Sequence, residues 1–253
     1  MSSISISGTD HFSGHAAAYA RHRPSYPPEL FAWLAGQCRQ RTLAWDCGTG
    51  NGQAAHALAA HFAQVHATDL SAEQLAEATP DPRIRFHAAP AEASGLVDQS
   101  CDLVTVAQAL HWFCHDAFYA EVKRVLRPGG LIAAWTYKLL DVEPAINRLV
   151  EHFHNRTVGP WWPPERKWVD VSYVGMPFPF VDVAVPAFTI HRDWTLEQLL
   201  AYLRTWSATQ RYIKETGNDP TLALGEQLAA VWTDRSQTKT IAWPLAIRCG
   251  RAQ

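Results

Sequence analysis

The spacing of hydrophobic and polar residues predicts strands that alternate with helices over the first half of the chain. Short apolar runs of strand length recur, and segments with helical spacing separate them. The run at 101–107 reads as continuously apolar, which is typical of a central strand covered on both faces. The predicted strands are 42–46, 65–68, 84–88, 101–107 and 131–136.

Helix signals lie before and between these strands. Pro27 and Pro28 open a helix, since proline is tolerated in a first turn, and an Ala-rich helix follows residue 52. Ser71 and Gln74 have the spacing of a capping box, and a helix over 118–126 ends at the Arg-Pro-Gly-Gly stretch. This order predicts a parallel sheet with right-handed crossover connections.

The pattern changes beyond residue 141. A helix to about residue 155 leads into a segment rich in tryptophan, phenylalanine and proline, 157–182. Such a long segment is either a lid or an aromatic flap that closes one end of the core. We then expect a strand over 183–190, a helix capped by Thr195 that runs to about residue 212, a helix ending near 232 and a last strand over 238–248.

The turn after the first strand carries the strongest chemical signal. Asp46 is followed by Gly48, Gly50 and Gly52, and Asp69 closes the next strand. Glycines at this spacing let a ligand approach the backbone closely. An acid at the end of the second strand of a doubly wound sheet lies where ribose hydroxyls bind. The pattern predicts an adenosine-containing ligand at the carboxyl edge of the sheet.

Charge narrows the choice of ligand. The nicotinamide fingerprint needs a glycine three residues after the second one, but Gln53 occupies that position. Asp46 would repel a diphosphate and attract an ammonium group, and no Gly-Lys-Ser/Thr sequence marks a P-loop. A cofactor that carries a free methionine ammonium group is compatible with both the glycine spacing and the charge of Asp46.

Composition excludes several other classes of function. The net charge is −2 and no block of Lys and Arg occurs, so we expect no nucleic-acid partner. Five scattered cysteines without a C-x-x-C pair favour neither a disulfide framework nor a zinc site. No apolar run approaches ~18 residues and no secretion signal is evident, so the prediction is a cytoplasmic protein without a membrane anchor.

With these motifs in place, the chain resembles class I S-adenosylmethionine-dependent methyltransferases, in particular the type-11 group that includes trans-aconitate methyltransferases. The resemblance extends over almost the whole chain, 1–253, and implies one domain with a covering segment at about 1–40 and a lid at about 157–182. It implies a doubly wound, Rossmann-like α/β fold with helices on both faces and seven strands, mostly parallel, the last antiparallel. Other motifs that support the resemblance are Pro90-Ala91-Glu92, the stretch 106–112, Leu126-Arg-Pro-Gly-Gly130, Trp206 with Gln210 and Tyr212, and Trp243-Pro-Leu245.

The resemblance also implies which residues hold S-adenosylmethionine. The three glycines would surround its methionyl part and Asp46 its ammonium, directly or through water, while Asp69 would bind both ribose hydroxyls. Asp46 as a loop acid and Asp69 as a simple helix cap are the alternatives. The remaining cofactor residues would be Tyr19, Arg23, Leu70, Ala91, Glu92 and Gln108.

Methyl transfer needs an aligned acceptor and the exclusion of water. An ionised carboxylate needs no base, whereas an amine or a hydroxyl does, and His111 is the candidate base by its position and usual pKa. A structural role of His111 is the alternative. The expected pocket residues are His111, Trp112, Trp135, Trp161 and Arg211, with Trp162 and Arg166 as further candidates. The other histidines form no metal-ligand pattern, so we predict no metal.

The function favoured by the sequence is methylation of a small molecule, most plausibly at a carboxylate oxygen, by a monomer or weak dimer. Two alternatives stay open. A nicotinamide-dependent oxidoreductase conflicts with the glycine spacing and with Asp46. A catalytically silent cofactor-binding protein is compatible with every residue, because this reaction requires no particular catalytic side chain.

Overall fold

The structure, a computed structural model, describes residues 24–252. Its sheet has the order β3-β2-β1-β4-β5-β8-β6, and β7 pairs with β8 beside this path. The strands are β1 Leu43–Cys47, β2 Gln64–Asp69, β3 Ile84–Ala88, β4 Cys101–Ala107, β5 Leu126–Tyr137, β6 Val181–Asp182, β7 Thr189–Trp194 and β8 Lys239–Arg251.

Strand direction agrees with the predicted topology. The first five strands are mutually parallel, and β8 runs antiparallel to β5. The chain moves from β1 outward to β3 and then returns to place β4 on the other side of β1. Ligands of doubly wound sheets bind at the carboxyl ends of strands at such a reversal. The mixed, mostly parallel sheet confirms the predicted fold class.

Helices cover both faces of the sheet and add a layer beyond its β8 end. The helices are α1 Pro28–Gln37, α2 Gln53–Ala59, α3 Ala72–Ala76, α4 His115–Val125, α5 Pro144–His152, α6 Arg166–Asp170, α7 Leu196–Arg204, α8 Ser207–Thr216 and α9 Pro220–Trp232. One π-helical turn, Phe153–Thr157, extends α5, and short 3-10 turns occupy Leu110–Trp112 and Gly159–Trp161.

Alternate residues of β5 enter two separate cores, as expected for a strand buried on both faces. Leu131, Ala133 and Trp135 pack with α1 and α2, whereas Ile132 and Ala134 face the α4 side. A third core joins α5, α7 and α9 to β7 and to the first half of β8. This third core forms the helical layer that contributes one wall of the cleft described below.

Three predicted elements differ from the structure. The stretch 183–188 is not a strand; β6 precedes it and β7 follows it. The predicted helix from Thr195 to about 212 is two helices, because Trp206 adopts an extended backbone (ψ 136°) and starts α8. Strand β5 begins at Leu126 rather than at 131, with a register shift between Cys101 and Leu103 of its neighbour β4.

Candidate functional site

The turn between β1 and α2 is built on three left-handed residues. Gly48, Gly50 and Gly52 have φ of 68°, 57° and 89°. The amides of Gly48 and Thr49 donate to the carbonyl of Thr68, at 2.8 and 2.9 Å, which ties the turn to the end of β2. Glycine adopts positive φ without steric cost, so the sequence of the turn follows from its shape.

Steric contacts require glycine at two of these positions, whereas the third has room for a side-chain atom. A Cβ on Gly48 would lie 2.6 Å from Cβ of Ala109, and one on Gly52 would lie 2.9 Å from the ring of Phe86. A Cβ on Gly50 would meet only the Gln74 side chain, at 3.7 Å. Gly48 and Gly52 are therefore required by packing, and Gly50 is where the turn leaves room for a ligand.

Asp46 lies under this turn and is fully buried, 0% exposed. Its two oxygens accept hydrogen bonds from the hydroxyls of Thr49 (2.6 Å) and Thr105 (2.7 Å). Burial raises the pKa of Asp46 to about 6, although both hydroxyls act in the opposite direction and the Asp69 carboxylate adds to the rise. A cation near the turn would favour the ionised form of Asp46.

Asp69 closes β2 and joins the glycine turn to α3. One of its oxygens accepts from the Gly50 amide at 2.7 Å and the other from the Ser71 amide at 2.9 Å. The N-cap of α3 is Ser71, whose hydroxyl accepts from the Gln74 amide, and Asp69 accepts the amide of this capping residue. Asp69 is half-buried, with its carboxylate at the carboxyl end of β2.

The other predicted cofactor residues gather at the same edge of the sheet. Leu70 follows β2 with 59% of its surface exposed, unusual for a leucine. Ala91 is buried in the core on the α4 side, and the Glu92 carboxylate accepts from the Cys114 amide at 3.3 Å, which connects the loops after β3 and β4. Tyr19 and Arg23 lie outside the described residues.

Gln108, directly after β4, has the backbone strain that is common at functional sites. Its φ is 61°, and its amide donates to the Trp135 carbonyl at 2.9 Å. Its side-chain oxygen accepts from the Thr136 hydroxyl at 2.9 Å, while its side-chain nitrogen is buried with no hydrogen-bond partner among residues 24–252. A buried amide without an acceptor is costly, so this nitrogen is suited to a ligand oxygen.

Beside Gln108 opens a small, partly open cleft of about 60 Å³. Its walls are mainly aromatic, and two cationic side chains, Lys138 and Arg166, lie among them. Arg166 lies over the Trp162 ring at 4.5 Å and pairs with Asp170. The full lining is Gln108, His111, Trp112, Tyr137, Lys138, Trp162, Pro163, Arg166, Val169, Tyr202, Trp206 and Ser207.

The structure brings together only part of the predicted pocket. His111 and Trp112 line the cleft, with ring centroids 4.7 Å apart. The segment 157–182 supplies a wall through Trp162 and Arg166, both of which were further candidates.

Three predicted pocket residues lie outside the lining of this cleft. Trp135 is fully buried and packs edge-on against Tyr26 and Phe31, so it belongs to the core and not to the cleft. Trp161 packs on Tyr212 and donates to Glu215 at 2.8 Å, outside the cleft lining. Arg211 is one helical turn after Ser207 on α8 and is likewise not among the lining residues.

Sequence reasoning missed several lining residues. Lys138 follows β5 as His111 follows the β4 end, and this position after a strand could have identified it. Tyr202 and Trp206 were outside the predicted pocket because the break between α7 and α8 was not anticipated. Tyr173 lies outside this lining, with its hydroxyl 3.2 Å from Nδ1 of His111, and its segment has no periodicity that would have identified it.

Other chemistry is limited within the described chain. Residues 24–252 hold no helix with both the length and the apolar character needed to span a bilayer. Over the same range no three His, Cys, Asp or Glu side chains converge as a metal site would require. All five cysteines are free thiols, and Cys47 and Cys101 are buried core residues.

Comparison with known proteins identifies the family. A type 11 methyltransferase domain model matches residues 45–134, from the end of β1 to β5. A Dictyostelium discoideum protein named as a methyltransferase is 32% identical over 214 residues, which cover 83% of this chain and 81% of that protein. A Saccharomyces cerevisiae protein named as an S-adenosylmethionine-dependent methyltransferase is 31% identical over 147 residues, 52% of this chain and 50% of that protein.

A solved structure agrees with these sequence matches. A protein of Anaeromyxobacter dehalogenans, described as a type II methyltransferase, is 41% identical and superimposes with a TM-score of 0.85. The match covers 91% of this chain and 98% of that one. A specific likeness to trans-aconitate methyltransferases is not among these findings. The extent of the Dictyostelium and Anaeromyxobacter matches shows that this chain belongs to the methyltransferase family with a type 11 domain.

Proposed function

We propose that the protein is an S-adenosylmethionine-dependent methyltransferase that acts on a small molecule carrying a carboxylate. The observation that carries the cofactor assignment is the glycine turn with room at Gly50, beneath which a buried Asp46 and a half-buried Asp69 concentrate negative charge. This environment suits a cofactor with an ammonium and a ribose and disfavours a diphosphate. The yeast relative is named for the same cofactor.

The residues present fit this cofactor, and their roles follow from position. Asp69, oriented by the Gly50 and Ser71 amides, would accept from the two ribose hydroxyls, and the exposed side chain of Leu70 would cover one face of the adenine. The unpartnered nitrogen of Gln108 would donate to an oxygen of the methionyl part. Asp46 would act through its charge across the turn, because its own oxygens are held by Thr49 and Thr105.

The loops after β3 and β4 would border the adenine. Ala91 and Glu92 lie in the first of these loops, which the Glu92 contact with the Cys114 amide fixes against the second. Tyr19 and Arg23, outside the described residues, stay predicted to cover the cofactor and to pair with its carboxylate.

The cleft supports a planar acid as the acceptor. Lys138 is an exposed cation with no ion-pair partner among residues 24–252, and Arg166 adds a second positive charge. Aromatic walls from Trp112, Trp162 and Trp206 would bury the body of such a molecule. Two cations in the lining disfavour an acceptor that is itself a cation.

The cofactor supplies a methyl group on a positively charged sulfur, which is transferred in line to the acceptor. The protein positions the two molecules and excludes water. Lys138 and Arg166 would hold the acid, and the segment 157–182 would act as the lid that closes the aromatic wall over it. A carboxylate oxygen, which our sequence analysis favours as the methylated atom, is ionised at neutral pH and requires no base.

Binding calorimetry tests the cofactor assignment, with S-adenosylhomocysteine and NADH titrated in parallel into the protein. We expect heat of binding from S-adenosylhomocysteine alone. Tight binding of NADH, with no signal from S-adenosylhomocysteine, would establish the oxidoreductase alternative instead.

A panel of acids, amines and phenols with isotope-labelled methyl donor tests the acceptor class. We expect label in planar acids and a higher KM for them in Lys138→Ala, whereas Lys214→Ala, which removes an exposed cation of α8 outside the cleft, leaves KM unchanged. Tight cofactor binding without any labelled product would favour the catalytically silent alternative.

A further inference from the structure

Arg166 is the charged residue that the segment 157–182 contributes to the cleft lining. Its side chain is 21% exposed, so most of it lies against other side chains. Its Nε donates to the Asp170 carboxylate at 3.2 Å, one helical turn further along α6. Among residues 24–252 this is the hydrogen bond that its guanidinium makes, and no acceptor there bonds to Nη1 or Nη2. Both terminal nitrogens therefore remain as donors for a ligand of the cleft.

The Trp162 ring lies against this guanidinium. Cζ of Arg166 is 4.5 Å from the centre of the ring, which is a cation–π contact. Pro163 and Pro164 follow Trp162 in the chain, and the Arg166 amide donates to the Pro163 carbonyl at 3.0 Å, which closes a tight turn. Because proline fixes φ, this turn holds the ring and the guanidinium together with little conformational freedom.

The Trp162 ring is in turn held by the π-helical turn that extends α5. Its indole nitrogen donates to the carbonyl of the buried His154 at 3.2 Å. The centre of its ring lies 4.9 Å from that of His154 and 5.6 Å from that of Trp206. π-helical turns are rare and occur frequently at functional sites. A continuous line of contacts thus connects α5 through Trp162 to Arg166 at the cleft.

Lys138, the second cation of the lining, is placed differently. It follows β5 and is exposed, and no ion pair or ring contact within residues 24–252 holds its long side chain. A lysine ammonium acts as a point charge, whereas a guanidinium offers parallel N–H groups that match the two oxygens of a carboxylate. The cleft therefore contains two cations, of which Arg166 alone has its orientation fixed by neighbouring side chains.

We propose that Trp162 and Asp170 are positioning residues that orient Arg166, whose two terminal nitrogens bind the carboxylate of the acceptor and determine which acids enter the cleft. This inference rests on the proposed function and deepens it, because it assigns acceptor selection to the segment 157–182. Asp170 occupies Nε and so leaves Nη1 and Nη2 as the pair that faces the ligand. Lys138 adds attraction without fixing the direction of the acid.

The orientation of Arg166 can be measured by nuclear magnetic resonance without any turnover. Protein labelled with ¹⁵N-arginine gives signals of the Nε–H groups, and Arg166→Lys identifies the signal of Arg166. We expect slow exchange of this proton with water in the native protein. Exchange should be faster in Asp170→Ala, which removes the acceptor, and in Trp162→Leu, which removes the aromatic face. Trp162→Phe keeps an aromatic face and should retain slow exchange.

Two neighbours in the same segment provide matched controls. Glu165→Ala removes the acid that precedes Arg166 and that gives α6 no side-chain cap. Trp161→Leu removes a ring that packs on Tyr212 and lies outside the cleft lining. We expect the native exchange rate of the Arg166 Nε–H in both variants, because neither residue contacts the guanidinium.

Benzoate, a planar carboxylate, tests the selection, with its affinity measured by saturation-transfer resonance. Arg166→Lys keeps the positive charge but lacks the paired nitrogens, so we expect it to bind benzoate about tenfold more weakly than native protein. Lys138→Gln should also weaken binding, but this effect should disappear at high salt, because an exposed charge is screened. The effect of Arg166→Lys should persist at high salt.

Three results would overturn the proposal. They are no binding of benzoate to native protein, equal affinity of native protein and Arg166→Lys, and an Nε–H exchange rate that both Asp170→Ala and Trp162→Leu leave unchanged. Calorimetry with S-adenosylhomocysteine on the same samples reports on the cofactor assignment alone. Benzoate bound through Arg166 without any S-adenosylhomocysteine binding would refute the methyltransferase proposal only. The converse result would refute the role of Arg166 only.

Discussion

Asp69 combines a structural and a binding role in one carboxylate. Its hydrogen bonds to the Gly50 and Ser71 amides fix the glycine turn against the start of α3. The same bonds orient its two oxygens, so that a ligand would meet a side chain that is already ordered. The residue that shapes the turn is therefore also the one we expect to hold the ribose.

Asp69→Asn keeps the size of the side chain and removes its charge and one acceptor. We expect S-adenosylhomocysteine to bind more weakly by about 1–3 kcal/mol, because hydrogen bonds to a charged group are lost. Calorimetry measures this change. Asp81→Asn, at an acid that pairs with Arg83 away from the site, is the control, and equal affinity of Asp69→Asn and native protein would refute the ribose assignment.

Asp46 gives the stability of the protein a characteristic pH dependence. Its pKa of about 6 in the folded protein, set mainly by burial, lies above the unfolded value of 3.8. The folded state therefore holds the proton more tightly, and stability falls as the pH rises from about 4 to about 6.

Asp46→Asn should remove this contribution to the pH dependence of the unfolding free energy. Relative to the variant, the native protein should lose on the order of 2–3 kcal/mol of unfolding free energy between pH 4 and pH 7. Urea unfolding at a series of pH values provides the measurement. Parallel curves for the two proteins would show that Asp46 does not titrate in this range.

At the scale of elements, the glycines of the turn between β1 and α2 have different roles, two in packing and one in leaving room for a ligand. Gly48 and Gly52 are constrained by neighbouring atoms, while Gly50 has room.

The β-α order of residues 42–136 was predictable because each strand has its own apolar run and the helices between them have their own spacing and caps. The glycine and acid positions followed from the same short-range rules.

Gly48→Ala and Gly50→Ala form a matched pair. Both place a Cβ on a left-handed residue, which costs about 1–2 kcal/mol. Gly48→Ala adds a contact of 2.6 Å with Cβ of Ala109, which cannot rotate away, so we expect a further loss of at least about 1 kcal/mol. Thermal unfolding compares the two, and equal stability would contradict this account of the turn.

For ligand affinity we expect the reverse order, with the larger effect in Gly50→Ala. At equal fraction folded, Gly50→Ala should weaken S-adenosylhomocysteine binding, because its new methyl group occupies the open side of the turn. If Gly50→Ala binds the ligand as native protein does, the room at Gly50 is not part of the cofactor site.

The second half of the chain was less predictable, for physical reasons. The break at Trp206 arises from tertiary packing, since this ring lies among Phe153, His154 and Trp162. Apolar residues over 183–188 resemble a strand, but the β6 ladder with β8 covers only Val181 and Asp182. Val183 and Phe188 add single backbone hydrogen bonds to β8, to Cys249 and Leu245. Tyr173 owes its position to a strained turn that no local pattern announces.

At the scale of the whole molecule, buried carboxylates act on stability in opposite directions. Glu121 is 7% exposed and accepts from Ser94 and Arg124. Burial disfavours its charge, but these hydrogen bonds outweigh burial and lower the pKa of Glu121 to about 2. Glu121 thereby stabilises the folded protein above the unfolded pKa of 4.5, and this contribution is lost as the pH falls toward 2.

Glu121→Gln should cost about 2 kcal/mol at pH 7, allowing for solvent screening of the partly exposed Arg124. The difference from native protein should shrink as the pH falls from 5 to 3. Urea unfolding at each pH measures it. A difference that is constant with pH would assign the effect to packing and not to charge.

The pairing of β8 has a consequence for the order in which the chain can assemble. Strand β6 lies at the outer edge of the sheet and pairs with β8, which is synthesised some sixty residues later by the residue numbers. While the ribosome is still making α7 to α9, the β5 edge and β6 both lack the strand that finally sits between them. A nascent protein of this kind exposes an open sheet margin late in translation, where a chaperone that masks unpaired backbone would have most effect.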